Sequence, residues 1–396
     1  MLKLTEYCYL TIAHPSCLFL CAALAGNVDA ASISIANGGT VSVEAMASAI
    51  YDDNIYLRDV DPVSAWLTVF SPDLSVALEG EKSSLNSSVI ARIGHYLGGE
   101  REDYRDYIGS MDGRWQPLSF IRFTVSGRYI DANQRVRPDF DGPLNPLMED
   151  RRVISPAGDI GVVISSLSQR SQLAYSLGKS SQNFFEAERD YEDSFRSLTA
   201  SYLLTPDFTV MAEARKSDIE YDLASVSNVL NSEESRYTVG FMLKMPKTSM
   251  TARYGTTEKK FISRDQNSGD VPTWNLDLNW SPRSYSSLNL KLSSAVQESL
   301  GTAEFVKSNS GTVSWRHQWT RNFQSNMSVS RAVGKFSGID RERDLSIGAA
   351  SIDYRVGNSF SVGFGFSMTK SADSFGDIED LSVERNLLFL SLNGPL

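Results

Sequence analysis

Beyond residue 21 the chain has no cysteine. Its three, Cys8, Cys17 and Cys21, all lie close to the N-terminus. A disulfide framework is thereby excluded for the rest of the chain, which must be stabilised in another way. Histidine is as scarce: His14, His95 and His317 are the whole complement. His14 falls in the N-terminal segment and the other two are far apart, so a histidine-based metal site or triad is poorly supported. No later stretch approaches the ~18 apolar residues that a membrane-spanning helix needs. Positive charge is not in excess either. The net charge is -10, which argues against the basic surface that nucleic-acid binding requires. Walker, dinucleotide and zincin motifs are missing. Gly94-His95-Tyr96-Leu97-Gly98-Gly99 is glycine-rich but lacks the context of a phosphate loop. The acidic pairs Asp52-Asp53 and Glu379-Asp380 read as solvated loop charges. No catalytic residue, cofactor or metal ligand is assigned, and the chain is not expected to be an enzyme.

What the chain has in quantity is alternation. Phe360, Val362, Phe364, Phe366 and Met368 alternate with Ser361, Gly363, Gly365, Ser367 and Thr369. Val313/Trp315/His317/Trp319 and Met250/Ala252/Tyr254 repeat the pattern. A period of two with one apolar face and one small, polar face describes a strand between lipid and water. The slightly polar mean hydropathy of -0.23 suits a barrel with a wet interior.

The N-terminus reads as an export signal. Lys3 precedes the short apolar core Cys17–Ala25, and Val28-Asp29-Ala30 supplies a small-x-small cleavage site. Residues 1–30 are therefore expected to be a signal peptide and 31–396 the mature barrel. A lipoprotein reading at Cys21, or a buried N-terminal helix, are the alternatives.

Two kinds of connection separate the strands. Short ones carry Pro, Gly, Asn or Asp, as in Thr205-Pro206-Asp207, Met245-Pro246-Lys247 and Gly357-Asn358. Long polar ones fall at 132–157, 223–234, 261–272, 298–303, 336–342 and 371–382. Outer-membrane barrels show this asymmetry, with short periplasmic turns and long external loops. The count is eighteen strands, from 41–57 and 64–80 to 358–370 and 383–393. Pro72-Asp73 resembles a turn, but splitting 64–80 there gives an odd total. An even number and periplasmic termini favour one long strand with Pro72 at a bulge. Sixteen strands remain if the first hairpin stays outside the wall.

Alternation also assigns the inner face. Arg92, Arg114, Arg122, Arg128, Arg236, Lys244, Arg253, Lys259, Lys291 and Arg316 fall on it, with Asp106, Asp112, Glu213 and Asp277. These side chains either line a conduit for anionic or polyhydroxylated solutes or form ion pairs that brace the wall. Trp115, Trp274 and Trp280 face outward near strand ends, where an interfacial aromatic belt belongs. The 132–157 loop, with Arg135, Arg137, Arg151 and Arg152, either folds inward as a constriction or covers the outer rim.

Tyr51-Asp52-Asp53-Asn54-Ile55-Tyr56, the strand with Pro72, and Tyr104–Tyr107 ahead of Gln116-Pro117 carry a resemblance. The chain resembles the bacterial outer-membrane β-barrels encoded with exopolysaccharide (biofilm polysaccharide) synthesis and export systems. The resemblance runs along nearly the whole mature chain. It implies export of an exopolysaccharide across the outer membrane of a Gram-negative bacterium. The implied partners are that polysaccharide, periplasmic export components, the assembly machinery, and the lipid and lipopolysaccharide of the membrane, without nucleic acid. The ending Leu392-Asn393-Gly394-Pro395-Leu396 departs from the terminal aromatic of many such barrels. A general or sugar-specific uptake porin is the alternative, followed by a non-conducting structural barrel.

Overall fold

The computed structural model describes residues 31–35, 38–98, 103–134, 151–184, 190–222, 229–263, 269–299, 303–357, 359–376 and 378–395. The signal segment 1–30 lies outside them, as do Arg135 and Arg137.

A short strand, β1 (Ala31–Ile35), precedes the wall. The wall itself begins with β2 (Gly39–Asp52), β3 (Ala65–Glu79), β4 (Ser83–Leu97), β5 (Tyr104–Leu118), β6 (Ile121–Gln134) and β7 (Arg151–Ser165). It continues through β8 (Ser171–Phe184), β9 (Tyr191–Thr205), β10 (Phe208–Tyr221), β11 (Ser232–Met245), β12 (Thr248–Phe261) and β13 (Gly269–Arg283). It ends with β14 (Ser286–Glu298), β15 (Phe305–Gln318), β16 (Phe323–Phe336), β17 (Glu342–Val356), β18 (Phe360–Phe375) and β19 (Ile378–Pro395). Each pairs antiparallel with its chain neighbour, and β19 returns to β2 with Leu387 opposite Asp52 and Pro395 opposite Glu44. The result is an 18-stranded antiparallel barrel of the outer-membrane type. Closure pairs the first wall strand with the last, so the backbone groups in the hydrocarbon have a ladder to join.

β1 takes an unusual place. It pairs with Gly39–Val43 of β2, below the point where β19 stops. One edge of β2 is thus shared end to end, by β19 above and β1 below.

The strands exceed the ~9–11 residues needed to cross the hydrocarbon. Most reach 14 or 15 residues, so the wall rises above the membrane on the long-loop side. Bulky apolar residues mark the outer face: Val89, Ile93, Phe123, Val125, Val239, Tyr254, Val329 and Leu390 are all exposed. Near the short turns Trp115 stacks on Phe123 at 5.5 Å, and His317 sits among Tyr285, Trp315 and Trp319. These rings form the lower belt.

Three details differ from the sequence expectation. Pro72 lies inside β3, but no bulge accompanies it. The register with β4 is the same above and below it, Phe70 opposite Ile93 and Asp73 opposite Ile90. The missing N–H interrupts the ladder without inserting a residue. The stretch 371–382 is not a long loop, because β18 and β19 run on to Phe375 and Ile378. The first strand ends at Asp52, and the segment after it turns into the barrel.

Inner glycines receive aromatic rings from the facing strand. Tyr104 covers Gly94, Phe195 covers Gly178 and Phe389 covers Gly365, each ring opposite its glycine in the ladder. A ring over a glycine closes the gap left by the missing side chain and fixes register.

Candidate functional site: the lumen and its inward-folded elements

The lumen is narrowed from two sides. The first element is the segment between β2 and β3. Ile55 is fully buried, against Leu67, Val69, Tyr96 and Tyr104 on the inner face. Its backbone is held by Ile55 N–H to Val63 O at 2.8 Å. Asn54 donates to Arg58 O at 2.7 Å and to Glu384 O at 2.8 Å. Asp53 accepts from the Asn386 amide at 2.6 Å and from its side chain at 2.8 Å. Asp52 is fully buried and accepts from Arg385 Nε at 3.0 Å on both oxygens. Asp52 and Asp53 are therefore not solvated loop charges. The Tyr-Asp-Asp-Asn run is a clasp that ties the first loop to the last strand.

The second element is the upper part of the β14–β15 hairpin. β13 and β14 pair up to Trp274 and Ser294 and then part. β14 and β15 stay paired to Glu298 and Phe305. Above the parting, the face of β14 and β15 that points outward lower down packs on the inner face of β9–β13. Val296 and Phe305 join Tyr191, Ile219, Tyr221, Phe261 and Val271 in one buried cluster. Glu298 receives hydrogen bonds from Lys259 and, at 2.7 Å, from the Tyr221 hydroxyl. Lys259 is fully buried. Ser294 Oγ reaches Pro272 O at 3.3 Å. The hairpin thus stands inside the wall, with Ala303 and Val306 against Phe336 on its other side.

The basic residues assigned inward divide by their partners. Arg236 lies 3.2 Å and Arg253 3.6 Å from Glu213, which they share. Lys291 lies 3.8 Å from Asp277. Arg316 donates to Asn326 Oδ1 at 3.2 Å. Lys244 is exposed near the short-turn end of β11. Arg92 stands opposite Asp106 in the ladder. Arg114 faces Ser84 and Thr124, Arg122 faces Val163, and Arg128 faces Ser110 and Ala157. Arg114 and Arg128 thus have neutral partners on both ladders that flank them, and Arg122, beside the register shift between Trp115 and Leu118, has one neutral partner. Asp112 and Asp159 lie on the same wall in the row between Arg114 and Arg128, bridged by Ser126.

Arg151 opens β7, and Arg152 is its second residue. Arg152 falls on the outward parity of β7, shared by the exposed Ile160 and Ile164, and its Nε is 2.6 Å from Asp131. It braces the outer rim.

Sequence reading missed a second group of buried charges. Arg341 and Arg343 converge on Asp373, Arg341 at 2.7 Å, and all three are buried. Arg341 also lies 4.4 Å from the Phe336 ring and 4.8 Å from Phe375. Arg215 lies 3.4 Å from Asp193 and 3.8 Å over Phe195. A signal was present. Arg343 and Asp373 both fall on inner-face positions, as does Arg215.

His95 is outward and exposed, with Nδ1 2.6 Å from Asp103. The hydrogen bond to His95 and that from the Tyr96 amide hold the Asp103 carboxyl below its usual range. Among the described residues, no group of three or more His, Cys, Asp or Glu is placed to hold a metal.

The chain is similar to several solved proteins. OccK11 (OpdR) of Pseudomonas aeruginosa is 12% identical, over 90% of this chain and 96% of its own, with a TM-score of 0.45. OpdK of the same species, solved with vanillate, is 11% identical over 89% and 98%, with a TM-score of 0.48. A BenF-like porin of Pseudomonas fluorescens is 10% identical over 89% and 97%, also at 0.48. No curated protein matches the sequence.

The sequence model of a family described as putative beta-barrel porin 2 matches residues 39–394. This corrects the resemblance drawn from Tyr51–Tyr56. That run is explained by the clasp, and the family is one of porins rather than exopolysaccharide exporters. Export of a polysaccharide, a biofilm role and a polysaccharide partner fall with it. A lumen crossed by two packed elements is also a poor conduit for a bulky polymer. The chain belongs to the putative beta-barrel porin 2 family and is not an enzyme.

Proposed function

We propose that this protein is a passive uptake channel for small hydrophilic solutes, with a preference for anions. The carrying observation is the division of luminal charge. On β9–β19 most luminal cations are spent on carboxylates: Arg215 on Asp193, Arg236 and Arg253 on Glu213, Lys259 on Glu298, Arg341 and Arg343 on Asp373, and Arg385 on Asp52, while Arg316 donates to Asn326. On β5 and β6, Arg114, Arg122 and Arg128 face neutral ladder partners. Paired charges hold the inward elements in place, and unpaired ones set the field that a passing solute meets. Asp112 and Asp159, with Glu44 opposite Asp73 further along the inner face, moderate that field.

Reversal potentials across a planar bilayer in a salt gradient test this. The wild-type channel is expected to favour chloride over potassium. Replacing Arg114, Arg122 and Arg128 by glutamine should move the reversal potential toward the cation side. A selectivity that stays where it was rejects the arginine wall as the filter. Small organic anions should enter proteoliposomes faster than cations of equal size.

A further inference from the structure

We infer that the upper β14–β15 hairpin is a hinged piece of wall with a second seat, and that moving between the two seats sets the width of the channel. The inference rests on the channel reading for its consequence and not for its geometry.

The two edges that part above Trp274 and Ser294 are both fully formed strand. β13 runs on from Thr273 back to Gly269, paired only with β12. β14 runs on from Ala295 to Glu298, paired only with β15. Continuing the register of Trp274 and Ser294 sets Thr273 opposite Ala295, Pro272 opposite Val296, Val271 opposite Gln297 and Asp270 opposite Glu298. Nothing in the backbone has to be remade for these pairs to zip. Zipped, the hairpin is ordinary barrel wall and the upper lumen is wider. Unzipped, it stands inside, as described above.

The balance between the seats follows from what each satisfies. Tucked, the hairpin buries Val296 and Phe305 and gives the Lys259 ammonium its carboxylate. Zipped, Val296 and Phe305 turn outward above the lipid, Glu298 meets Asp270, and Lys259 loses Glu298 and keeps only Glu234 opposite it in the ladder. Pro272 brings no N–H to the new ladder. The tucked seat is therefore the resting one, and the Lys259–Glu298 pair is its latch. Ser337 follows the hairpin through its amide to Phe305 O at 2.9 Å and its hydroxyl to Glu304 at 2.8 Å.

The absence of cysteine after Cys21 makes a crosslinking test direct. V271C/Q297C joins the two edges in the zipped seat. F261C/F305C, whose rings lie 6.4 Å apart, joins the tucked one. Full-length protein with Cys8, Cys17 and Cys21 replaced by serine is folded in detergent, checked by its heat-modifiable mobility, and oxidised. F261C/F305C should crosslink readily. V271C/Q297C should crosslink slowly, and several-fold faster when K259M or E298Q is added. Oxidised V271C/Q297C should give a larger single-channel conductance than its reduced form, and oxidised F261C/F305C should hold the smaller level. V271C/Q297C that never crosslinks in either latch variant, while F261C/F305C does, overturns the hinge. Crosslinks with no change in conductance overturn the hairpin as the constriction. Crosslinks as expected in a protein that conducts nothing leave the hinge standing and reject the channel reading.

Discussion

Asp52 and Arg385 sit 333 residues apart in the chain and meet at the upper end of the closing seam, Arg385 Nε 3.0 Å from both carboxylate oxygens. The pair is a contact between the first wall strand and the last. Beside it, Asp53 and Asn54 hold Asn386 and the Glu384 carbonyl. Removing one partner of a buried ion pair strands the other charge, at about 3–5 kcal/mol. Asp52→Ala is expected to lower markedly the temperature at which the compact, heat-modifiable form is lost on a gel. Asp52→Ala/Arg385→Ala together should cost less than the sum of the two single changes.

Asp373 carries more. Two arginines converge on it, and it is fully buried. Asp373→Ala leaves both cations without that carboxylate, so its effect should exceed that of Asp52→Ala. Yield of folded barrel after dilution from urea into detergent measures the difference. A variant that folds as well as wild type contradicts this account of the cluster.

Gly365 tests the ring-over-glycine pairs. A Cβ there comes within 2.1 Å of the Phe389 ring. Phe389 is itself buried, so the ring has little room to give. Overpacking of this kind costs about 1–3 kcal/mol. Gly365→Ala should shift the urea midpoint of folding into lipid vesicles downward. Gly348→Ala, where no atom lies within 4 Å of the added carbon, should leave it unchanged.

Leu290 and Asn289 are neighbours on β14 with opposite faces. Arginine on the lipid face near the midplane costs about 2–4 kcal/mol. Leu290→Arg should therefore destabilise the barrel in vesicles, whereas Asn289→Arg, whose side chain already meets Asn279 at 2.7 Å on the inner face, should be tolerated. Equal costs at the two positions contradict the face assignment.

Much of this wall is legible in the sequence, because the period-two pattern is a direct imprint of lipid on one side and water on the other. Phe360–Met368 and Leu288–Leu292 declare their faces without help. The parity of short turns is enough to keep Pro72 inside one strand. What the pattern does not carry is the nature of the surface that an apolar face meets. Val296 continues the outward series of Leu288, Leu290 and Leu292, yet it packs against another part of the wall. Asp52 has the local look of a loop carboxylate, since its partner is Arg385 at the far end of the chain. The resemblance built on Tyr51–Tyr56 failed for a related reason: a run of six residues records a local clasp, and a clasp can serve barrels with different cargo.

The shared edge of β2 bears on how the barrel shuts. β19 meets β2 only over Glu44–Asp52, because Gly39–Val43 are taken by β1. A closing strand that slid toward the periplasm by two residues would keep its apolar face outward, and alternation alone would not reject it. Here it would run into Ala31. The first strand is thus a doorstop for the last, closing the seam to slippage toward the periplasm.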